Sequence, residues 1–322
     1  MALLLIAVSI IAFFLVINSP IDPLTSYVGP ESTLSQEARD EIAEYWGLYD
    51  PPAERFMSWV GNIVRGDWGD SITYKRPVKD VISERFSYSF GLMACTWVIS
   101  GLLGFVVGII SGMREGGWFD RITKYFCLMV KSAPTFWIGL LVLVIFAVEL
   151  KWFPIGMAVP LGKPANEVTF WDRLYHMALP VITLSIISMS DIMLYTRQKL
   201  IEIINSDFIL YARARGENEK QIVLRHVIRN IALPAITVQF ASFSELFGGM
   251  ALAENVFSYP GIGTATTAAA VNGDVPLLLG IAVCSAVFVF AGNLMANVLY
   301  GVFDPRIKEG VITYEHTHAH SH

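Results

Sequence analysis

The chain has 322 residues, of which 54% are hydrophobic and 16% are charged, with a mean hydropathy of +0.53 and a formal net charge of −5. This composition excludes a soluble domain of ordinary make-up and predicts an integral membrane protein with no nucleic-acid partner. Cys95, Cys127 and Cys284 lie far apart in apolar segments, so they form no disulfide framework.

Six stretches are long and apolar enough to cross a bilayer. A hydrocarbon core about 30 Å thick requires roughly 20 mostly apolar residues as a helix, because each backbone polar group must be satisfied within the segment. The first stretch lacks a basic flank and a small-residue cleavage pattern, which favours an anchor over a signal peptide. The sequence therefore predicts an all-α, polytopic membrane protein with transmembrane helices near residues 1–18, 88–111, 125–148, 179–195, 233–252 and 275–303.

Lysine and arginine near the ends of these spans predict the orientation. The loop after the second span contains Arg114, Arg121 and Lys124, whereas the loop between the fifth and sixth spans has no basic residue. Seven more basic residues precede the fifth span: Arg197, Lys199, Arg213, Arg215, Lys220, Arg225 and Arg229. Both termini are thus predicted to be cytoplasmic. The predicted domains are residues 1–18 (first helix), 19–87 (extracytoplasmic segment), 88–310 (transmembrane core with a cytoplasmic loop at 196–232) and 311–322 (histidine-rich cytoplasmic tail).

The extracytoplasmic segment has helical patterns of its own. "TLSQEARDEIAEYWGL" reads as an amphipathic helix capped by Ser32 or Thr33. A second short helix is predicted after the break at Pro51 and Pro52. We expect both to pack against the outer ends of the bundle rather than to lie on the membrane surface.

A basic, polar stretch, "YARARGENEKQIVLRHVIRNIALP" at residues 211–234, interrupts the apolar pattern. Ser206 or Asp207 is predicted to cap a helix that ends at Gly216, and a second, amphipathic helix from Glu217 or Asn218 is predicted to end at Pro234. One interpretation is a hairpin that rests on the membrane surface. The other is a docking element for a cytoplasmic partner, favoured by the small residues Ala212 and Ala214 immediately before the turn.

"YARARG" followed by "RHVIRNIALP" resembles the cytoplasmic EAA loop of ABC importer permeases, in the version of the dipeptide, oligopeptide and nickel permease family. "GDWGDSI", "APTFWIGLLVLVIF", "FSYPGIG", "GDVPLLLGI" and "DPRIKEG" also resemble motifs of the "B"-type subunit of that family, in order. The sequence departs from the family at its start, where the basic residues that usually precede the first span are absent.

The resemblance implies an ABC type I importer permease fold. It implies a second homologous permease, two ABC ATPase subunits and an extracytoplasmic substrate-binding protein as partners, with the lipid bilayer around them. The ATPase-coupling helix would comprise Tyr211, Ala212, Arg213, Ala214, Arg215 and Gly216. The sequence contains no G-x-x-x-x-G-K-[ST] loop, so we expect no cofactor and no enzyme activity in this chain, with ATP and Mg bound by the partner subunits.

Ionisable and amide side chains inside the spans are candidates for the translocation path, because such groups usually face the bundle interior. They are Glu245, beside the small Gly248 and Gly249, with Asp191 and Asn293. The alternative interpretation, that Glu245 only hydrogen-bonds a neighbouring helix, stays open.

Tyr259, Pro260, Gly261 and Gly263 are predicted to form a turn, followed by a short helix over "TATTAAAV". By analogy with the family, this region would border the outer gate and contact the binding protein.

The chain ends with alternating histidines, His316, His318, His320 and His322, which are suitable ligands for nickel, zinc or copper. The main hypothesis is a permease of a di- and oligopeptide importer. A nickel or nickel-chelate importer is the alternative within the family. An ion-coupled secondary transporter, coupling protons through Glu245 and Asp191, is the alternative from another class; it predicts an inverted repeat that the sequence does not show.

Overall fold

The computed structural model describes residues 2–18, 24, 35–45 and 49–303. The histidine tail, the "DPRIKEG" motif, Ser32 and Thr33 lie outside the described residues. Helices dominate the described part, and its two short strands, β1 (Asp70–Ser71) and β2 (Arg76–Pro77), pair antiparallel with Asp70 opposite Pro77.

Most helices coincide with the predicted apolar or amphipathic segments. In chain order they are α1 (Ala2–Ile17), α2 (Gln36–Tyr45), α3 (Pro52–Val64), α4 (Val78–Met113), α5 (Trp118–Ser132), α6 (Thr135–Leu143, continued by a π-helix at Val144–Glu149), α7 (Phe170–Ile204), α8 (Asp207–Ala214), α9 (Glu219–Ile222, continued by a π-helix at Val223–Val227), α10 (Ile228–Ala241), α11 (Phe243–Val256), α12 (Ile262–Val271) and α13 (Val275–Phe303). A 3₁₀ turn at Ala165–Glu167 precedes α7.

Three helices of the described part, α4, α7 and α13, are long and apolar enough to cross a membrane. Two bent pairs raise that number to five: α5 with α6, bent by 112°, and Glu219–Ala241 with α11, bent by 51°. The sequence predicts both as continuous spans. Pro134 accompanies the first break, whereas the second, at Ser242, has no proline. The apolar part of α1 is shorter (Leu5–Ile17), so the sixth span stays a prediction.

The predicted end of a helix at Pro234 is wrong, because α10 continues through this proline to Ala241. Proline removes one backbone hydrogen bond, and membrane helices tolerate that loss when neighbouring groups compensate for it. The polar stretch is therefore continuous with the first half of the predicted fifth span.

One compact unit comprises Met1–Gly91 and Ser258–Phe290. Here α2 begins one residue after Ser35, whose Oγ accepts a hydrogen bond from the Ala38 N–H at 3.3 Å, so Ser35 caps this helix instead of Ser32 or Thr33. The predicted start of α3 after Pro51 is confirmed, and Phe56 of α3 packs edge-on against Phe13 of α1. The core joins α4, α12 and α13 through Val78, Val81, Ile82, Ile262, Ala265, Ala269, Leu277 and Ile281.

The other unit comprises Leu92–Phe257 and Ala291–His322. In it a row of glycines on α4 brings this helix close to α7. A Cβ atom at Gly104 would lie 2.7 Å from the Met189 carbonyl oxygen, and one at Gly108 would lie 2.7 Å from the Thr196 Cβ. The small residues that permit close helix approach are therefore on α4. By contrast, no atom lies within 4 Å of a Cβ built at Gly248, one of the two glycines predicted for that role.

Candidate functional site

The polar stretch forms a helical hairpin whose turn at Gly216 is as predicted, whereas Ser206 precedes α8 without a side-chain capping hydrogen bond and donates from Oγ to the Ile203 carbonyl oxygen instead. Helix α8 follows Ser206, and Gly216, one residue past its C-cap, adopts φ +86°, a left-handed conformation that glycine adopts without a steric penalty. Asn218 then caps α9 in a capping box: its side chain accepts from the Gln221 N–H at 2.9 Å while the Gln221 side chain accepts from the Asn218 N–H at 3.0 Å.

A small apolar core holds this hairpin together. Ile209 and Ala212 of α8 pack with residues of the following helices and with Leu200 at the end of α7, in a cluster completed by Ile222, Val223, Val227 and Ile231. Ala212 is thus buried within the hairpin, whereas Ala214 is exposed. The small size of Ala212 serves close packing inside the chain, and Ala214 is the small residue at the surface.

The outer face of α8 combines apolar and basic side chains. Tyr211, Arg213 and Arg215 are exposed, as the sequence analysis requires of a docking element. Phe208 and Leu210 of α8 and Leu224 of the following helical segment are also exposed apolar residues, which the sequence analysis missed. The signal for Leu210 was available, since with 3.6 residues per turn the burial of Ile209 and Ala212 leaves Leu210, Tyr211 and Ala214 on the opposite side.

A glutamate–histidine hydrogen bond and an ion pair link the parts of the hairpin. Glu217 Oε2 lies 3.0 Å from His226 Nε2, and Arg213 Nη2 lies 3.1 Å from Glu219 Oε1. The sequence analysis did not single out His226. Its bond to Glu217 depends on the turn geometry, which the sequence pattern alone does not give.

Asp191 and Glu245, two of the predicted path residues, lie together in one cavity of about 70 Å³. The cavity lies where both bent spans break, since Thr135 is the first residue of α6 and Ser242 precedes α11. Its remaining lining residues are Leu184, Ile187, Ser188, Leu246 and Gly249. The carboxylate of Glu245 is exposed and has no hydrogen-bond or ion-pair partner among the described residues.

Asp191 forms an ion pair with Lys131 of α5, a residue that the sequence analysis missed. Lys131 is the only charged residue in the predicted third span. Because a charge inside an apolar span usually pairs within the bundle, the sequence alone could have identified Lys131 as a candidate. Asn293 is not placed in this cavity; its Oδ1 accepts a hydrogen bond from Ser244 Oγ at 2.6 Å, which links α13 to α11.

A second charged cluster, also missed, lies between the ends of α4, α5 and α7. Arg197 donates from Nε to Asp120 Oδ1 at 2.5 Å and from Nη2 to Oδ2 at 2.8 Å. Ser111 Oγ and the Gly116 N–H donate to the same carboxylate at 2.6 and 2.9 Å. Buried carboxylates are stable only when they are paired and hydrogen-bonded in this way. This cluster therefore holds α4, α5 and α7 together close to the start of the hairpin.

The predicted outer turn lies in the other compact unit and is mostly buried. Tyr259 and Gly261 are buried and Pro260 is partly buried, while Gly263 belongs to α12, the predicted short helix. The Ile262 N–H at the start of α12 donates to Ser89 Oγ at 2.8 Å. The residues that this region exposes are Ser258, Thr267, Ala270, Val271 and Asn272.

Asp274 connects distant segments of the compact unit that contains the outer turn. It accepts hydrogen bonds from Ser71 Oγ at 2.5 Å, from the Thr73 N–H at 2.9 Å and from the Leu277 N–H at 3.2 Å, and it is fully buried. The "GDWGDSI" and "GDVPLLLGI" motifs, far apart in sequence, thus meet at one carboxylate.

Within the described ranges, no group of three or more histidine, cysteine, aspartate or glutamate side chains is arranged to hold a metal ion. The four histidines of the tail, His316, His318, His320 and His322, lie outside those ranges, so their metal binding stays a prediction.

Comparison with known proteins decides the family. The family model described as the inner membrane component of binding-protein-dependent transport systems matches residues 104–309. The chain is 32% identical to the oligopeptide transport system permease protein AppB of Bacillus subtilis, over 95% of each chain. The chain belongs to this permease family.

Two further permease sequences agree with this assignment. The chain is 33% identical to a putative peptide permease protein of Brucella suis over 95% of each chain. It is 30% identical to the glutathione transport system permease protein GsiC of Escherichia coli over 94% of each chain. A structure of the MetNI methionine ABC transporter in inward-facing conformations shares 17% identity with a TM-score of 0.49, covering 68% of this chain and 96% of that one.

Family membership confirms the predicted class. The chain is a permease subunit of an ABC importer, a multi-pass helical protein of the inner membrane, and not an enzyme. Its partners are an ATPase, a substrate-binding protein and a second permease. The alternative of a secondary transporter that acts alone is therefore wrong.

Proposed function

We propose that this permease forms, with a second homologous permease, the translocation path of an ATP-driven importer for di- and oligopeptides. The names of relatives that match the chain over 94–95% of its length specify oligopeptides, peptides and glutathione. Similarity over this extent supports a shared class of cargo.

Coupling to ATP hydrolysis is proposed to occur through residues 211–216. The observation that carries this proposal is the arrangement of α8, which turns Ile209 and Ala212 inward and presents Tyr211, Arg213 and Arg215 outward. An eight-residue helix with an apolar and basic outer face suits a groove with apolar walls and acidic rims on the partner. Ala214 permits close approach, and Gly216 reverses the chain.

The proposed assembly contains two ATPase subunits on the cytoplasmic side and one binding protein outside. The excess of basic residues in the hairpin and in the loop after α4 supports a cytoplasmic position for both. Both termini, including the tail at 311–322, then lie in the cytoplasm, and residues 19–87 lie outside.

Glu245 and Asp191 are proposed to line the path, because they share a cavity at the breaks of two spans. The absence of a described partner for the Glu245 carboxylate supports this over a purely structural role. Asn293 contributes by holding α13 against α11.

Tyr259, Pro260, Gly261 and Gly263 are proposed to shape the outer gate from within their unit. Their burial assigns direct contact with the binding protein to exposed neighbours such as Thr267 and Val271. This division of roles is a proposal by family analogy.

Nickel is the second candidate cargo, and the observation that favours it is the run of alternating histidines at 316–322. The proposed topology places this tail on the cytoplasmic side, where it would meet a metal ion only after transport.

The test is an uptake assay in proteoliposomes that contain this permease with its native partner subunits and binding protein. We expect uptake of radiolabelled short peptides that requires both ATP and the binding protein. A complex whose ATPase lacks its phosphate-loop lysine serves as the control and should show background uptake only. Uptake of nickel without uptake of peptides would refute the peptide assignment.

A further inference from the structure

We infer that Glu217 and His226 form a positioning pair that fixes the coupling helix to the helix that follows it. The pair would ensure that a displacement of α8 reaches α10 rather than being absorbed by bending at the Gly216 turn. This inference rests on the proposed coupling role of residues 211–216.

Glu217 contacts both sides of the turn. Its backbone N–H donates to the Ala212 carbonyl oxygen at 3.2 Å, which holds it to the end of α8. Its side-chain Oε2 lies 3.0 Å from His226 Nε2, in the π-helical segment Val223–Val227 beyond the turn. One residue thus connects the coupling helix to the start of the helix that enters the membrane.

Apart from the apolar core of the hairpin and the exposed Arg213–Glu219 pair, the turn residues make only local contacts. Gly216 stands in open space, with no atom within 4 Å of a Cβ built on it. Its N–H donates to the Arg213 carbonyl oxygen at 2.9 Å, a bond within the α8 end. The capping box of Asn218 and Gln221 is likewise local to α9. The Glu217–His226 hydrogen bond connects residues on the two sides of the turn, and both side chains are partly buried.

Burial distinguishes this pair from the ion pair of the hairpin. The Glu217 and His226 side chains are 17% and 35% exposed, whereas those of Arg213 and Glu219 are 41% and 60% exposed. Exposed ion pairs contribute little, because water screens them and ordering two long side chains costs entropy. Glu219 is therefore a matched control for Glu217, two residues away in the same hairpin.

The π-helical segment that contains His226 leads toward the proposed path. It continues as α10 to Ala241 and bends by 51° into α11, which carries Glu245. π-Helical segments are frequent at functional sites, and here one lies at the junction of the hairpin with the span. A hairpin held in a fixed position would transmit a displacement of α8 to this span.

The experiment measures peptide taken up per ATP hydrolysed by the complete transporter in proteoliposomes. We expect Glu217→Ala and His226→Ala each to lower this ratio about fivefold or more, the lower end of the range of allosteric coupling effects. The double variant should lower it no further, since the two residues act as one unit. Glu219→Ala should leave the ratio unchanged, and Glu217→Gln, which keeps a hydrogen bond to the imidazole, should restore most of it.

The outcomes separate this inference from the function on which it rests. A wild-type complex without ATP-dependent peptide uptake would refute the proposed function and the pair with it. A lowered ratio in Gly216→Val with a wild-type ratio in Glu217→Ala would refute the pair alone. If Glu217→Ala does not assemble, His226→Leu decides, because leucine preserves much of the side-chain volume but cannot bond to Glu217. A ratio in His226→Leu equal to that in Glu219→Ala, at normal assembly, would overturn the inference.

Discussion

Arg197 of α7 holds Asp120 of α5 through two hydrogen bonds, and both side chains are largely buried. The Ser111 hydroxyl and the Gly116 N–H complete the shell around the carboxylate. Because Arg197 lies two turns before the end of α7, this joint fixes the helix from which the coupling hairpin emerges.

Removing the Asp120 carboxylate should destabilise the chain. Asp120→Ala leaves the Arg197 guanidinium buried without its partner, and breaking a buried pair in this way costs about 3 kcal/mol or more. We expect a clearly lower melting temperature of the detergent-solubilised chain. Lys199→Ala, which breaks the exposed pair with Glu202, is the control and should change stability by less than about 1 kcal/mol. Equal melting temperatures for the two variants would contradict the assignment of Asp120 to a buried joint.

Gly216 should tolerate asparagine better than valine. At φ +86° a β-branched side chain is strained, whereas asparagine adopts the left-handed region several times more often than other residues. Gly216→Val should therefore lower peptide uptake per ATP, and Gly216→Asn should retain most of it. Gly162→Val provides the control, since Gly162 has φ +77° and open space but lies away from the hairpin. A similar loss in the Gly162 variant would show that backbone strain alone explains the effect.

The glycine row on α4 should not accept even one methyl group. A Cβ at Gly108 would lie 2.7 Å from the Thr196 Cβ and 2.8 Å from the Met193 carbonyl oxygen, so Gly108→Ala forces α4 and α7 apart. Overpacking of this kind costs about 1–3 kcal/mol. Gly91→Ala on the same helix meets no atom within 4 Å and should be neutral or slightly stabilising. Thermal unfolding of the two purified variants checks the difference, and an unaffected Gly108 variant would refute this packing.

The Lys131–Asp191 pair should show coupling in a double-mutant cycle. Each single change, Lys131→Met or Asp191→Leu, leaves one charge without its partner in an apolar span, while the double change removes both. We expect the double variant to be more stable than at least one single variant, with an interaction energy of roughly 1 kcal/mol because both side chains are only half-buried. Additive changes in stability would show that the two residues do not interact.

Caps, turns and short motifs could be predicted from the sequence, because they depend on residues that are close together in the chain. The turn at Gly216, the Asn218 cap that follows it and the helix after Pro51 all follow from short-range capping and turn preferences, and the structure has each of them. The family motifs were also recognisable, because they are contiguous strings.

The sequence did not predict what depends on tertiary packing. Ala212 could be assigned to an exposed or a buried face only once α8 was packed against Leu200, and the break at Ser242 has no local signal. Arg197 and Asp120 are 77 residues apart, and Asp274 and Ser71 are 203 apart, so neither pair is visible in a local pattern.

Site-specific photo-crosslinking from the outer face of α8 tests the central claim most directly. A photoreactive phenylalanine analogue at Tyr211 of the assembled transporter should crosslink to the ATPase subunit. The same analogue at Leu161, an exposed residue in the loop before α7, should not. Crosslinks to the ATPase from Leu161 and none from Tyr211 would contradict the proposed seat of energy coupling and the orientation of the permease together.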